Sequence, residues 1–325
     1  MILVTGASGI VGHHIVKSLI STGHKIRAIK RPSSNINRLA AYQNSIEWVD
    51  ADLLDIPALE KAFDGVELVV HCAAVVSFHK EDKVAMMEVN IGGTANMVNL
   101  SLIYNVKKFV HISSVAALGR KPGADLIDES NKWDPSDYNS NYAESKYKGE
   151  LEVWRAQEEG LNIVMVNPSI VLGPGDWSSS SMQLFKYASQ GRVFYPDGEM
   201  NYVDVRDVAS IIEVLLFSDI HGEKYILNAG MATYKDVFNM ISKHLNKPAP
   251  KYKVSYSLLI FAYIMDTIKS KLFGTKAIIT KESIRMSRMS FFYSNQKVVD
   301  TLNYSFRTLD DSIAWTCEEI DKHNL

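Results

Sequence analysis

The sequence predicts a doubly wound α/β fold, a parallel sheet with helices packed on both of its faces. Short apolar runs alternate through the first half with longer segments of helical periodicity. Several of these runs are apolar almost throughout, as strands covered on both sides must be. A glycine cluster at Gly6, Gly9 and Gly12 lies between the first run and the first helical segment, where a strand must turn sharply into a helix.

Taken in order, Ile2–Val4, Lys25–Ile29, Ile46–Val49, Leu68–Val70, Phe109–Ile112 and Ile163–Val166 read as strands. The intervening helices are Val11–Thr22, Ile56–Phe63, Val84–Tyr104 and Asn141–Glu159. Strand, helix and strand at this spacing give right-handed crossovers. After Pro168 the pattern loosens. Gly173-Pro-Gly175 and the run Ser178–Ser181 read as a mobile loop, Tyr202–Val205 as a further strand, and Val208–Phe217 as a helix returning to the sheet. From Met231 onward the chain reads as helical and mixed. The expected division is residues 1–170 with 198–230 in the sheet domain, and residues 171–197 with 231–325 in a smaller, mostly helical domain over the C-terminal strand ends.

At 325 residues the chain exceeds the usual limit of a single core. Hydrophobic residues make up 46% and charged residues 22%, an ordinary globular balance, and the formal charge is −2. That charge offers no footprint for nucleic acid. Two cysteines, Cys72 and Cys317, are too few for a disulfide framework or a zinc cluster. No metal site is expected. The apolar run Leu258–Met265 ends at Asp266, far short of a membrane span. No leader segment precedes the first strand, and a cytoplasmic setting is the expectation.

The position of the glycines points to a ligand. Gly6 permits the tight turn, Gly9 lets backbone approach a pyrophosphate, and Gly12 lets the helix pack closely on the strand. The helix N-terminus then presents unpaired N–H groups to phosphate. This is the pattern of a Rossmann-type dinucleotide site, with Ser8, Ile10 and Val11 completing the cradle. NAD-preferring sites place an acid about 20 residues on. Here that place reads Ala28-Ile-Lys30-Arg31-Pro-Ser-Ser34, with no acid, and Arg31 is suited to a 2′-phosphate. NADP(H) is therefore the expected cofactor, with NAD(H) as the alternative and a solvated basic turn as the bland reading. Asp52-Leu53 follows the third strand, where a carboxylate accepts from adenine or merely caps a helix. His71-Cys-Ala-Ala74 ends the fourth strand with small residues beside the cofactor, Ala73, Ala74 and Val75 among them. His71 reads as packed core and Cys72 as a buried small hydrophobe.

Tyr142 and Lys146 stand four apart on one helical face. A phenol with a pKa near 10 becomes useful at neutral pH when an ammonium stabilises its anion, and the expectation is that Lys146 does this for Tyr142. Phe109-Val-His-Ile-Ser-Ser114 is a strand running into two serines whose hydroxyls could orient a substrate oxygen.

With these residues in place the chain resembles an extended short-chain dehydrogenase/reductase, the group of nucleotide-sugar epimerases, dihydroflavonol reductases and 3β-hydroxysteroid dehydrogenases. The resemblance covers nearly the whole chain. It implies that Ser114, favoured over Ser113 by its distance from Gly119, forms the catalytic set with Tyr142 and Lys146. It further implies that Asn90 orders the site and that Pro168, Ser169 and Ile170 lie under the nicotinamide. Tyr202-Val-Asp-Val-Arg-Asp207 matches a later strand-and-helix motif of the group. Hydride would pass between the nicotinamide and a substrate carbon, with Tyr142 exchanging the hydroxyl proton. A homodimer through Val84–Tyr104 and Asn141–Glu159 is implied as well.

Gly198-Glu-Met-Asn-Tyr202 stands where epimerases often carry Arg-Asp-Phe, which favours a reductase acting on a small-molecule carbonyl. Phe78 and Ala116, with Ser114, are expected at the substrate, and Leu258–Met265 and Phe291–Tyr293 read as pocket wall or as core. Val254–Phe273 reads as a packed helix of the smaller domain, with a lid or weak membrane-surface contact as alternatives. An epimerase or dehydratase is the rival activity. A nonenzymatic dinucleotide sensor is the rival class, disfavoured because it needs no Ser114, Tyr142 or Lys146.

Overall fold

A computed structural model describes residues 1–120, 126–136, 138–177, 181–273, 284 and 290–323. The sequence expectations at Ser178–Ser180 lie outside these residues. Seven strands form the main sheet: β1 (Ile2–Thr5), β2 (Ile26–Lys30), β3 (Ile46–Asp50), β4 (Leu68–His71), β5 (Lys108–Ile112), β6 (Ile163–Pro168) and β7 (Glu223–Leu227). Their order is β7-β6-β5-β4-β1-β2-β3, and every pair is parallel. The chain runs outward from β1 to β3, then returns to the other side of β1 at β4. That reversal opens a crevice at the C-terminal ends of β1 and β4, where open sheets of this kind bind ligands.

Strand periodicity explains the unbroken apolar runs. Ile2 and Val4 face one core with Val70, Val110 and Val164. Leu3 faces the other with Val69, Phe109 and Ile163. Both faces are buried, so apolar residues dominate the runs, and the polar residues among them, such as Arg27 and His111, are buried too. The helix Ile10–Ser21 packs on the first face beside Val205–Phe217, and the helices Thr94–Ile103 and Asn141–Glu158 cover the second. The expected helix over Val84–Tyr104 is not uniform: Lys83–Met87 and Thr94–Ile103 flank a π-helical turn at Glu88–Gly93.

Beyond Pro168 the chain builds a separate three-stranded sheet. Ile170–Leu172 pairs in parallel with Glu199–Asp204, which pairs antiparallel with Gly230–Thr233. The strand expected at Tyr202–Val205 thus belongs to this second sheet, whereas β7, unread in the sequence, completes the main one. A third core of Phe185, Met200, Phe238 and Ile313 lies under the smaller sheet. Buried Asp207 ties this C-terminal part down: it accepts from the Tyr304 hydroxyl (2.9 Å) and the Arg307 amide (3.0 Å) and pairs with the Arg307 guanidinium.

The helix Tyr256–Phe273 departs from the expectation of a packed helix. It turns Leu258, Phe261, Ile264, Met265 and Ile268 to the outside. Among the described residues, no helix is long and apolar enough to cross a membrane.

Candidate active site

A cleft of about 730 Å³ opens along the C-terminal ends of β1, β4 and β5. Gly6 sits in it at φ 67°, the left-handed region, and a β-carbon there would lie 2.7 Å from the Ala73 nitrogen. Gly12 is closed from the other side: a β-carbon would meet the Gly6 carbonyl oxygen at 2.2 Å. Only glycines at both places let the loop fold over the strand end. The helix then begins at Ile10, with Gly9 as its N-cap and no side chain capping it. Its first amides have no intrahelical acceptor and stand ready for an anion. These cradle features fit a dinucleotide pyrophosphate.

Of the positions expected from the sequence, Gly6, Ser8, Gly9, Ile10, Val11, Arg31, Asp52 and Leu53 line this cleft. So do Ala73, Ala74, Val75, Phe78, Ser114, Ala116, Tyr142, Lys146, Pro168, Ser169 and Ile170. Gly12 and Asn90 stand behind it. Asp52 uses one carboxylate oxygen to accept from the Leu54 amide at 3.0 Å. Arg31 begins a turn closed by Ser34, whose hydroxyl accepts from the Arg31 amide at 3.1 Å. Lys30, just before it, is paired with Asp50.

The helix Asn141–Glu158, which carries Tyr142 and Lys146, is capped by Ser140, whose hydroxyl accepts from the Ala143 amide at 2.9 Å. Glu144 lies in its first turn and Arg155 in its last, both signs matching the helix dipole. Tyr142 is held edge-on to Phe78, ring centres 6.1 Å apart, with the Ser114 side chain beside its phenol. Burial pushes its phenol above the usual value, and Ser114 pulls part of that back. Lys146 is buried one turn on, and its Nζ donates to the Ile112 carbonyl at 2.9 Å. Burial lowers its pKa to about 8, against the opposing pull of Glu150. The expectation that Lys146 lowers the phenol pKa is therefore corrected for this geometry: the ammonium is bonded to strand β5, and burial dominates the tyrosine.

Ser114 is positioned from behind. Asn167 on β6 donates to the Ser114 carbonyl at 2.9 Å and to the buried Glu150 carboxylate at 2.6 Å. Glu150 was not read from the sequence, although it follows Lys146 by one helical turn. Ser113 also lines the cleft, its buried hydroxyl without a partner among the described residues.

Asn90 works at a distance. Its amide donates to the Val75 carbonyl (2.9 Å) and the Ser145 hydroxyl (2.9 Å), while its carbonyl accepts from the Val75 amide (2.7 Å). It fastens the cleft-lining loop after β4 to the helix that carries Tyr142 and Lys146. Gly149 allows the approach, since a β-carbon there would meet the Asn90 carbonyl at 2.8 Å. His71 joins the same framework. The Thr5 hydroxyl accepts from the Cys72 and Ala73 amides and therefore donates to His71 Nδ1 at 2.8 Å. His71 Nε2 donates to Thr94, whose hydroxyl donates to the Asn90 carbonyl at 2.7 Å. Burial drops the His71 pKa to about 3, so the ring is neutral core, and pushes Cys72 up to about 12.

The substrate end of the cleft was largely invisible in the sequence. Arg120, Leu184, Glu199, Met200, Asn201 and Tyr234 line it together with Phe291 and Tyr293. Arg120 donates to the Tyr293 hydroxyl at 3.2 Å and lies 5.7 Å from the Phe291 ring centre. The residues of Leu258–Met265 expected as pocket wall do not line the cleft.

A parallel sheet with a glycine-cradled crevice and a Ser–Tyr–Lys wall defines an NAD(P)-dependent oxidoreductase of the extended short-chain dehydrogenase/reductase class. The chain belongs to the NAD dependent epimerase/dehydratase family, whose profile matches residues 2–230. A Synechocystis protein with the provisional name dihydroflavonol 4-reductase is 30% identical over 320 residues, covering 96% of this chain and 92% of the relative. Cinnamoyl-CoA reductase 1 of Petunia hybrida is 28% identical over 271 residues, 78% of this chain and 79% of the relative. Among solved structures, that of gox2253 superposes with a TM-score of 0.83 at 31% identity, covering 99% of this chain and 98% of the other. UDP-glucose 4-epimerase of Thermotoga maritima superposes at 0.82 with 20% identity over 100% and 99% of the chains, and shares the fold.

Proposed function

We propose that this protein is an NADPH-preferring reductase of apolar, aromatic small-molecule carbonyls. The observation that carries the reading is Tyr142, half-buried on the cleft wall, beside Ser114 and edge-on to Phe78. A bound nicotinamide supplies the hydride. The chain's own residues do the rest. Ser114 and Tyr142 hold the substrate oxygen, and Tyr142 gives it the proton. Lys146, with spare donors beyond its bond to Ile112, reaches the cofactor ribose. Gly6, Gly9 and the first amides of the helix hold the pyrophosphate, and Arg31 holds a 2′-phosphate.

The substrate wall of Phe78, Leu184, Met200 and Phe291 supports an apolar partner for Tyr142. Relatives named dihydroflavonol 4-reductase, cinnamoyl-CoA reductase and tetraketide alpha-pyrone reductase support the same direction of chemistry. A division between a cofactor-holding unit and a substrate-holding unit, at the boundaries expected from the sequence, belongs to this reading, as does a cytoplasmic setting. So does a homodimer through the helices around Val84, Ile103 and Leu151, three exposed apolar residues suited to that contact.

The test is a panel of aromatic aldehydes, ketones, flavonoids, steroids and nucleotide sugars, followed by loss of NADPH absorbance. Stoichiometric NADPH consumption with an aromatic carbonyl is expected. Conversion of a nucleotide sugar with no net NADPH loss would transfer the protein to the epimerases.

A further inference from the structure

The helix Tyr256–Phe273 is apolar over most of its circumference, and part of that apolar surface faces outward. Its outward arc carries Leu258 (39% exposed), Phe261 (60%), Ile264 (47%), Met265 (50%) and Ile268 (46%). Steps of three and four residues place all five on one stripe. Leu259, Ile260, Ala262, Tyr263, Asp266, Thr267 and Ser270 of the same helix are half-buried. None of the five outward residues lines the cleft, so the stripe is not the wall of the active site.

Charge gives the surroundings of this stripe a sign. Residues 247–273 hold five lysines against a single aspartate, in a chain whose formal charge is −2. Lys247, Lys251, Lys253 and Lys269 are exposed, and Lys253 is bonded to Asp197. Asp266 belongs to the inward face. Just before the helix, the strand Tyr252–Lys253 pairs with Phe194–Tyr195 and leaves Tyr252 and Phe194 exposed, their rings 5.9 Å apart.

We propose that this helix and the neighbouring ribbon dock on the surface of an anionic lipid bilayer. The apolar stripe enters the boundary between headgroups and acyl chains, and the lysines meet the acidic headgroups. A second copy of the chain is the poorer occupant. In a two-fold interface each patch meets itself, which sets these lysines against one another. The helix lies on the bilayer without crossing it. Attachment of this kind is reversible and weakens with salt, because each lysine near the surface contributes about fivefold to binding.

The experiment is flotation of the full chain with phosphatidylcholine vesicles, with and without phosphatidylglycerol. Binding to the anionic vesicles is expected to exceed that to the zwitterionic ones by about tenfold or more at low salt, and to fall as salt rises. The combined variant Phe261→Ser, Ile264→Ser and Ile268→Ser, all at exposed positions, should lose about tenfold or more of that binding. Its circular dichroism and cofactor affinity should stay at wild-type values. A second variant, Lys251→Glu with Lys269→Glu, should lose the preference for anionic vesicles and stands as the decisive one if the first fails to fold. The proposal is overturned if the wild type does not float with anionic vesicles. It is equally overturned if the folded variants float as the wild type does, or if the serine variant splits an oligomer seen by light scattering.

Discussion

Lys146 and Ile112 are joined by a hydrogen bond of 2.9 Å that crosses from the helix Asn141–Glu158 to the C-terminal end of strand β5. The ammonium is thus bound to the same strand end from which Ser113 and Ser114 emerge. Its depressed pKa of about 8 follows from burial, and the consequence for stability has a definite sign. Between about 8 and the ordinary lysine value near 10.4 the unfolded chain binds more protons than the folded one, so stability rises with pH. Below about 8 the full cost of the buried charge is present. Lys146→Met should remove a slope of up to about 1.4 kcal/mol per pH unit in that window. Chemical denaturation of the cofactor-free protein at a series of pH values measures it, and equal slopes in both proteins would refute the assignment.

Tyr142→Phe removes one oxygen and leaves the ring against Phe78. Turnover should fall by about 10² to 10⁴, the usual worth of a positioned proton donor. Cofactor affinity, followed by quenching of protein fluorescence, should stay within a few-fold of wild type. A variant that keeps its turnover removes Tyr142 from the chemistry.

Among the described residues, Arg31 lines the cleft where the cofactor's 2′ substituent is expected, while neighbouring Lys30 is engaged with Asp50. A charge-assisted contact to phosphate contributes about 1.5–3 kcal/mol. Arg31→Ala should therefore weaken NADPH by roughly ten- to a hundredfold while leaving NADH affinity nearly unchanged. Titration of both cofactors against both proteins gives the ratio. A parallel loss for the two would make Arg31 a general electrostatic contributor and not a discriminator.

His111 is buried on β5, stacked on His71 at 5.3 Å, with neither ring nitrogen partnered among the described residues. Burial holds its pKa well below the usual histidine value. His13 is lowered to about 3, His14 to about 4 and His71 to about 3 for the same principal reason. All four are neutral when folded and protonate on unfolding below about pH 6.5, so stability is complete above that pH and is lost as pH falls toward the folded values. Each contributes up to about 1.4 kcal/mol per pH unit to the loss. His111→Leu removes one contributor and an unsatisfied buried group. It should be neutral or stabilising at pH 7 and should lose less of its thermal midpoint between pH 7 and pH 5. Destabilisation at pH 7 by more than about 2 kcal/mol would reveal an unseen partner.

The sheet was legible where local pattern and tertiary role coincide. Strands β1, β2, β4, β5 and β6 are largely buried on both faces and read as apolar runs, and the edge strand β3 reads from Ile46, Trp48 and Val49. Strand β7 starts with Glu223 and Lys224 at the sheet edge, where polar residues are tolerated, so its run looked too weak. The cofactor side of the cleft was legible for a similar reason: its glycines, small residues and Tyr–Lys spacing lie in continuous segments. The substrate side is assembled from Arg120, Leu184, Met200, Tyr234 and Phe291, which come from five separate stretches of chain. No periodicity links them. Glu150 was missed because a carboxylate on a helix ordinarily faces water, and the approach of Asn167 from β6 and of Lys224 from β7 (4.0 Å) explains its burial. Leu258–Met265 misled in the opposite way: its hydrophobicity argued for an inner surface, and Leu258, Phe261, Ile264 and Met265 face out.

The π-helical turn at Glu88–Gly93 has a consequence for how this scaffold tolerates change. Such a turn holds one residue more than its neighbours, so shortening it by one restores an ordinary helix while the stretches before and after keep facing as they do now. The reach of Asn90 toward Val75 and Ser145 depends on that extra residue; the helix on either side does not. Loss of a single codon here would spare the architecture and slacken the seam between two walls of the crevice.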